Sequence, residues 1–286
     1  MNYLDRAACL ALLVVGTLFG SSGVLASDGS IDPSFGQDGV ALTAPGQWDH
    51  IAGNGRGAFA VAGPCLGEEV GTNPCFQLAD SAGNPDPAFN GGSSITLTNP
   101  PCDIYQFQMQ TYFNLLLDSQ GRIIVVADCL NFEEMFAVRF DTSGQRDLTF
   151  GENGYETFPD CPGQSYSYQS AIDTSDRLVL ALQCGAIRNY VVSRRNSDGT
   201  PDTNFGSGGY ATLQFSTLDD RFLGGVCPGC FALDHENRSV LLGTCGPGSA
   251  PYTCVTRFDA EGQVESAFGT DGIAAVPTAA GSLYAN

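Results

Sequence analysis

The sequence predicts an all-β fold: a β-propeller-like array of four-stranded antiparallel blades, with four full repeats and an N-terminal partial repeat. The first observation is a marker in which a glycine, an acidic residue and a phenylalanine lie three residues apart. The second is that segments beside the markers alternate between apolar and polar residues, as half-buried strands do. The third is that the chain after residue 26 has no convincing helical stretch. The marker occurs five times, at Gly29/Asp32/Phe35, Gly83/Asp86/Phe89, Gly144/Asp147/Phe150, Gly199/Asp202/Phe205 and Gly262/Glu265/Phe268.

The spacing of the markers sets the size of the repeating unit. Successive marker phenylalanines are 54, 61, 55 and 63 residues apart, so one unit contains about 58 residues. Units of this kind bury their apolar faces against their neighbours. We therefore expect one repeat domain, residues 27–286. It divides into a partial repeat at 27–45, full repeats at approximately 46–99, 100–159, 160–215 and 216–279, and a short tail at 280–286.

The first 26 residues predict a secretory signal peptide. A short apolar run, Leu10–Phe19, follows Arg6 and precedes small residues that end at Ala26, the expected cleavage site. The run is too short for a membrane-spanning helix, although an N-terminal membrane anchor is the alternative. We expect a secreted or periplasmic, extracellular protein that is not inserted in a membrane after the signal is removed.

Each unit contains four predicted strands, a to d in chain order. A turn that begins with aspartate and ends with arginine, such as Asp118–Arg122, separates strand a from strand b. The arginine is followed by an apolar run such as Ile123–Ala127, which is typical of a strand covered on both faces. Strand c precedes the marker glycine, as in Phe136–Asp141, and strand d follows the marker phenylalanine, as in Tyr155–Phe158.

Four-stranded units of this length favour a β-propeller over the main competitor, a stacked β-solenoid with shorter coils of roughly 20 to 30 residues. The run Asp141–Tyr155, with the upstream segment Asp118–Val126, resembles the bacterial delta-60 repeat. Two positions depart from that pattern: Asn90 stands where glycine usually follows the marker phenylalanine, and Glu265 replaces aspartate. The resemblance spans residues 28 to about 277. It implies a β-propeller-like domain of a secreted or surface protein, in a family that has no general catalytic residues.

The ends of the array admit three arrangements. The turn that ends in arginine occurs four times, whereas the marker occurs five times. The N-terminal marker can cap an edge of the array, the tail at 280–286 can begin a fifth partial blade, or the array can stay open.

The cysteines predict five disulfides. Ten cysteines follow the signal peptide, and an even number in a chain with a signal peptide is typical of disulfides formed outside the cytosol. In a blade, the b–c and d–a connections emerge at the same end, and the cysteines lie near these connections. We predict hairpin clamps at Cys65–Cys75 and Cys245–Cys254, ties between a d–a connection and strand b at Cys102–Cys129 and Cys161–Cys184, and Cys227–Cys230 by elimination.

The marker residues are candidates for ligand binding as well as for structure. No loop has the density of acids found in a dedicated calcium site, so we expect no cofactor, with calcium bound by the marker acids as the alternative. The acids are expected to cap turns or to pair with arginines on strand c, and the phenylalanines to form core between blades rather than a platform for sugars. The five acids are Asp32, Asp86, Asp147, Asp202 and Glu265, and the arginines are Arg139, Arg194 and Arg257.

Two further patterns suggest chemistry but favour a structural interpretation. Cys227 and Cys230 have the spacing of a redox dithiol, but such dithiols lie at a helix N-terminus, whereas strands are predicted here. His50 and His235 are the only histidines, and His235 occupies a turn position filled by serine or threonine in sister units. The chain after the signal has no Gly-x-Ser-x-Gly elbow, so we predict no catalytic residues.

The charge of the chain narrows the class of partner. The net charge is −19 and all 12 basic residues are arginine, which argues against nucleic acid and anionic membranes as partners. We expect a secreted, non-catalytic binding or structural module, stabilised by disulfides, whose partner is an unknown protein or glycan. The alternative is an extracellular propeller enzyme with a divalent metal site at its central channel.

Overall fold

The computed structural model describes residues 31–41, 48, 50–65, 74–104, 113–129, 135–158, 165–184, 189–212, 230–245 and 252–276. In these residues, sixteen strands form four antiparallel four-stranded sheets, one for each full repeat. Within each sheet the strands follow one another in chain order, as in a propeller blade. The one helical element of the described ranges is a single 3-10 turn at Asn90–Gly92. The all-β, β-propeller-like array predicted from the sequence is therefore confirmed.

We call the four strands of each sheet a, b, c and d. Sheet 1 contains β1 (His50–Gly53), β2 (Phe59–Pro64), β3 (Pro74–Ala79) and β4 (Ile95–Thr96). Sheet 2 contains β5 (Phe113–Leu117), β6 (Ile123–Asp128), β7 (Met135–Phe140) and β8 (Tyr155–Thr157). Sheet 3 contains β9 (Ser165–Ile172), β10 (Leu178–Cys184), β11 (Asn189–Arg195) and β12 (Tyr210–Thr212). Sheet 4 contains β13 (Phe231–Leu233), β14 (Ser239–Cys245), β15 (Tyr252–Phe258) and β16 (Ile273–Ala275).

The hydrophobic core lies between neighbouring sheets. Every residue of β6 is buried, and successive residues of this strand point to opposite faces. Val125 packs in an apolar cluster shared with sheet 1, whereas Val126 packs in a cluster shared with sheet 3. A third cluster joins sheets 3 and 4. The uninterrupted apolar b strands are thus explained by burial on both faces.

The a–b turns owe their shape to their first residue. In the second repeat, Asp118 Oδ1 accepts hydrogen bonds from the backbone N–H groups of Gln120 and Arg122, both at 2.9 Å. Asp118 Oδ2 pairs with Arg122 Nε at 2.6 Å. In the first repeat, Asn54 takes the place of the aspartate: its Oδ1 accepts from the N–H of Arg56 at 2.9 Å, as Asp118 accepts from the N–H of Gln120. The alignment of Ala52 with the aspartate, which the position of Arg56 suggests, is wrong, because Ala52 lies in β1.

The two ends of the blades differ in the length of their connections. The a–b connections, at 54–58, 118–122, 173–177 and 234–238, each contain five residues, and the c–d connections, at 80–94, 141–154, 196–209 and 259–272, contain 14 or 15. We call this end the uniform end. The b–c connections, at 65–73, 129–134, 185–188 and 246–251, range from four to nine residues, and the d–a connections, at 97–112, 158–164 and 213–230, range from seven to 18. We call this end the variable end.

Three of the five predicted disulfides are present, and all three lie at the variable end. Cys65 bonds to Cys75 and Cys245 to Cys254 across b–c connections, and Cys102 in a d–a connection bonds to Cys129 beside strand b. Cys230 is also disulfide-bonded. The other predicted pairings involve Cys161, Cys184 and Cys227, whose side chains lie outside the described residues.

The N-terminal marker packs against the first blade. Gly36 donates its backbone N–H to the carbonyl of Ala82 at 2.6 Å, and the ring of Phe35 lies against Gly83. The inner a strands contact one another in chain order, β1 with β5, β5 with β9 and β9 with β13, and within the described ranges no comparable contact joins β13 to β1. The described blades therefore form an open row. None of the described helices is long and apolar enough to cross a membrane.

Candidate functional site

The marker acid lies in a compact ion pair with an arginine of strand c. In the second blade, Arg139 Nε donates to Asp147 Oδ2 at 2.8 Å, and the guanidinium lies 4.8 Å from the ring centroid of Phe150. Asp147 Oδ1 accepts from the N–H and the hydroxyl of Thr149 at 3.0 and 2.6 Å. Both carboxylate oxygens are therefore engaged, and the arginine is held between the acid and the aromatic ring.

We call this arginine, acid and phenylalanine the marker triplet, and it recurs in the later blades. The ion-pair distances are 2.8 Å in Arg194/Asp202/Phe205 and 2.6 Å in Arg257/Glu265/Phe268, with guanidinium-to-ring distances of 4.4 and 4.3 Å. The first blade has Leu78 in place of the arginine, and the carbonyl of Leu78 accepts from the N–H of Asp86 at 2.9 Å, as the carbonyl of Arg139 accepts from the N–H of Asp147. Asp86 and Asp32 keep only the turn-capping role, accepting from the N–H groups of Ala88 and Ser34 at 2.9 Å.

The triplets of the second and third blades each reach into the following repeat. Arg139 Nη1 donates to the carbonyl of Ser197, and the N–H of Gly151 donates to the carbonyl of Asp198 at 2.7 Å. Gly199, the next marker glycine, lies directly against the ring of Phe150. In the same way, Arg194 Nη1 donates to the carbonyl of Ala260, and the N–H of Gly206 donates to the backbone carbonyl of Glu261 at 2.7 Å. Gly262 lies against the ring of Phe205.

The marker phenylalanines differ in burial according to their place in the row. Phe89, Phe150 and Phe205 are no more than 1% exposed. Phe35 and Phe268, in the first and last markers, are only partly buried. Gly29, the first marker glycine, lies outside the described residues. The three inner phenylalanines belong to the core between blades, and none of these is available as a platform for sugars.

The a–b turns provide a second set of contacts between repeats. The N–H and hydroxyl of Ser119 donate to the carboxylate of Asp176 in the next turn at 2.8 and 2.7 Å. Thr174 makes the equivalent contacts with Asn237 Oδ1, both at 3.0 Å. Asp176 and Asn237 adopt positive φ values of 57 and 60°, which short polar side chains accept. At the first junction, Arg56 Nη1 donates to the carbonyl of Ser119 at 3.0 Å.

Side chains of the inner strands form a third set of contacts that sequence reasoning missed. Asn114 Oδ1 accepts from the N–H of Ser170 at 3.2 Å, and Gln169 Oε1 accepts from the N–H of Phe231 at 2.8 Å. Each bond satisfies a backbone donor on the inner edge of the next sheet. The sequence signal that could have predicted these contacts is an amide side chain at the same position of strand a in two successive repeats.

The electrostatics of the triplet fit a structural role. Burial is the main reason that the pKa of Arg139 is lowered, and the nearby charge of Arg122 lowers this pKa further. Burial acts to raise the pKa of Asp147, but hydrogen bonds from Thr149 and the charge of Arg139 outweigh it, so that this pKa lies below its usual value. Asp147 is therefore ionised at neutral pH and paired with the arginine.

The other candidates for chemistry also lie in structural settings. In the described part of the chain, no group of three histidine, cysteine, aspartate or glutamate side chains could hold a metal ion. The ring of His50 packs edge-on against Phe113 with centroids 4.7 Å apart. The side chain of His235 is 86% exposed in an a–b turn, beside Glu236. A calcium ion at a complete triplet would have to displace an arginine from its acid.

No protein-family model matches the chain, and no curated protein matches it at a significant level. Among solved structures the chain is similar to a puromycin hydrolase, with a TM-score of 0.42 and 15% sequence identity, over 79% of this chain and 31% of that chain. It is also similar to an exo-beta-1,3-galactanase from Phanerochaete chrysosporium, with a TM-score of 0.34 and 10% identity, over 77% of this chain and 48% of that chain. The chain thus spans less than half of the length of either protein.

Proposed function

We propose that the protein is a secreted, non-catalytic module that binds a protein or glycan at its variable end. The observation that carries the proposal is the contrast between the two ends of the blades. At the uniform end, all a–b connections have five residues, and their side chains hold the repeats together. At the variable end, the b–c connections range from four to nine residues and the d–a connections from seven to 18. Loops that vary in length on a rigid scaffold are the usual location of binding residues.

Two features of the variable end support this assignment. Disulfides fix its connections at Cys65–Cys75, Cys102–Cys129 and Cys245–Cys254, which reduces the entropy lost when a loop binds a ligand. The long d–a connections also carry aromatic residues by sequence, and aromatic side chains supply much of the binding energy at protein and sugar interfaces. These residues, outside the described ranges, are Tyr105, Phe107, Tyr112, Phe215 and Phe222.

In this proposal the partner is not a nucleic acid, and the protein is not inserted in a membrane. The net charge of −19 disfavours polyanions. The non-catalytic assignment is supported by the engagement of the described marker acids in turns and ion pairs, such as Asp147 with Thr149 and Arg139.

A thermal-shift screen of the purified protein tests the proposal. The probes are a panel of oligosaccharides, a panel of divalent ions, and a chelator. We expect a ligand of the protein to raise the melting temperature, whether it is an oligosaccharide of the panel or a protein added as a probe in the same assay. The double variant Tyr105→Ala/Phe107→Ala should abolish that shift. The matched control is Leu148→Asp, because Leu148 is 62% exposed at the uniform end. A large chelator-sensitive transition would instead support the metal-dependent enzyme, and a shift abolished equally by Leu148→Asp would place the ligand elsewhere.

A further inference from the structure

The first marker makes the same contact with the blade after it as the later markers make. Gly36 donates its N–H to the carbonyl of Ala82 at 2.6 Å, and the ring of Phe35 lies 3.1 Å from the position that a Cβ on Gly83 would take. At the next two complete markers, the corresponding N–H to carbonyl distance is 2.7 Å, and the marker ring lies against the following glycine in the same way. The first marker is therefore placed as the inner markers are.

At a complete marker, one arginine of strand c makes both backbone and side-chain contacts. In the second blade, the carbonyl of Arg139 accepts from the N–H of Asp147 at 2.9 Å, and its N–H donates to the carbonyl of Gly154 at 3.3 Å. Its side chain donates through Nε to Asp147 Oδ2 and through Nη1 to the carbonyl of Ser197, and it lies over the ring of Phe150. The arginine of the third blade makes the same set of contacts.

The first marker has all the groups that receive this arginine, and no described residue fills them. Asp32 Oδ1 accepts from the N–H and the hydroxyl of Ser34 at 2.9 and 2.6 Å, which leaves Oδ2 available. The N–H of Asp32 and the carbonyls of Gly39 and Ser81 correspond to the backbone groups that bind the inner arginines. In the described part of the chain none of these three groups has a hydrogen-bond partner. We define the arginine site as Asp32, Phe35, Gly39 and Ser81.

Apolar side chains beside the arginine site are exposed where strand c would cover them. Ile31 is 72% exposed and Val40 is 55% exposed. Their equivalents in the second blade, Arg146 and Tyr155, lie opposite residues of strand c. Exposed apolar side chains beside unpaired backbone groups are the features of a sheet edge to which an extended segment adds as a strand.

The chemistry of the site selects arginine. Hydrogen bonds from the hydroxyl and the N–H of Ser34 lower the pKa of Asp32, so that its carboxylate is ionised at neutral pH. A planar guanidinium can donate to a carboxylate and a carbonyl while it stacks on a ring, which an ammonium group cannot do. The sequence has Val24 eight residues before Asp32, where the later blades have arginine. We propose that the arginine site binds an arginine of an extended segment of another protein, which adds as a strand beside Gly39 and Val40.

A different protein is favoured over a second copy of this chain. The arginines of the marker triplets already pair with their own acids, and those of the later a–b turns pair with the first aspartate of the turn. These six are Arg139, Arg194, Arg257, Arg122, Arg177 and Arg238. The net charge of −19 also attracts a basic partner and repels a second copy. The inference is independent of the ligand proposed for the variable end, because the arginine site lies at the N-terminal edge of the row.

Fluorescence anisotropy with a labelled peptide tests this inference. The probe is Met-Phe-Ala-Val-Arg-Phe-Asp, the sequence of residues 135–141, in which the arginine has the neighbours that it has in strand c. We expect saturable binding to the purified protein. A peptide with lysine in place of the arginine should bind at least about tenfold more weakly.

A matched pair of variants assigns the binding to the arginine site. Asp32→Asn removes the charge but keeps an oxygen that can accept from Ser34, so that the turn is retained. It should weaken binding of the arginine peptide at least about tenfold. The control is Asp86→Asn, because Asp86 caps the same turn in the first blade, where Leu78 takes the place of the arginine. The control should bind the peptide as the wild type does.

Hydrogen exchange locates the bound peptide. Exchange in residues 31–41 should slow when the peptide is added, because the N–H of Asp32 gains an acceptor, and Asp32→Asn should lose most of this slowing. Unchanged thermal unfolding of Asp32→Asn shows that loss of binding is not loss of fold. A wild-type protein that does not bind the peptide, a lysine peptide that binds as tightly, or an equal loss in Asp86→Asn would overturn the inference. Self-association that Asp32→Asn abolishes would overturn the choice of partner and assign the site to a second copy.

Discussion

At the residue scale, the marker glycines are required by the approach of the preceding repeat. Gly199 has φ +92°, a conformation that side chains with a Cβ rarely adopt. A Cβ there would lie 2.9 Å from the backbone nitrogen of Gly151 and 3.2 Å from the ring of Phe150. The recurrence of glycine and phenylalanine together thus reflects one contact: the ring of each repeat packs on the glycine of the next.

Replacing Gly199 by alanine should destabilise the fold through both strain and displacement of the next repeat. We expect a loss of about 2 kcal/mol or more in the free energy of unfolding, measured with urea. Gly208→Ala is the control, because its φ is also positive, at +64°, but no atom lies within 4 Å of the added carbon. The control should lose only about 1 kcal/mol. Equal losses in the two variants would mean that the close approach to Phe150 contributes nothing.

Asp176 should make the junction between the a–b turns sensitive to acid. Burial acts to raise its pKa, but hydrogen bonds from Ser119 and Gln120 outweigh this effect, so that the pKa in the folded protein is lowered. The stabilisation is therefore complete above the unfolded pKa of about 3.9 and is lost as the pH falls through the folded pKa. Wild type should exceed Asp176→Asn in melting temperature near neutral pH, and the difference should shrink below about pH 4.

The third junction offers a reciprocal variant for this prediction. Asn237 already occupies the position of Asp176 and accepts from Thr174 at 3.0 Å. Asn237→Asp should therefore add the pH dependence that Asp176→Asn removes. A difference between wild type and Asp176→Asn that stays constant from neutral to acidic pH would argue against a role for the ionised carboxylate.

At the scale of elements, the sequence was sufficient to predict the strands and turns within each repeat. It was insufficient to predict the contacts between one repeat and the next. The apolar run at Ile123–Ala127 and the turn at Asp118–Arg122 predicted β6 and its hairpin, because these are local patterns. The reach of Arg139 to Ser197 and of Asn114 to Ser170 could not be predicted, because these contacts depend on how two blades are placed. The exposure of Phe268 was missed for the same reason: its local sequence matches that of the buried markers.

The disulfides act on elements through the length of chain that they close. Cys102 and Cys129 are 27 residues apart, whereas Cys245 and Cys254 are nine apart. In the chain-entropy model, removing the disulfide that closes the longer loop lowers the free energy of unfolding by about 3.5 kcal/mol. Removing the disulfide that closes the shorter loop lowers it by about 2.6 kcal/mol. We expect urea unfolding of the two double-serine variants to show this order, with Cys102→Ser/Cys129→Ser the less stable. A larger loss in the Cys245→Ser/Cys254→Ser variant would show that the native hairpin, rather than the unfolded chain, determines the effect.

At the scale of the whole molecule, stability comes from interfaces in a row. Three apolar clusters connect sheets 1 and 2, 2 and 3, and 3 and 4. Sheets 2 and 3 are therefore covered on both faces, and sheets 1 and 4 each have one described neighbour. In such arrays, stability is approximately a sum of the stabilities of the repeats and of the contacts between neighbours. The end blades should then open more readily than the middle ones.

Hydrogen exchange measured by mass spectrometry tests this gradient. In dilute solution, the amides of β6 and β10 should exchange slowest, because opening them disrupts two interfaces, whereas β1 and β16 should exchange fastest. Uniform protection of all four sheets in dilute solution would contradict an open row, because equal protection requires every blade to have two neighbours.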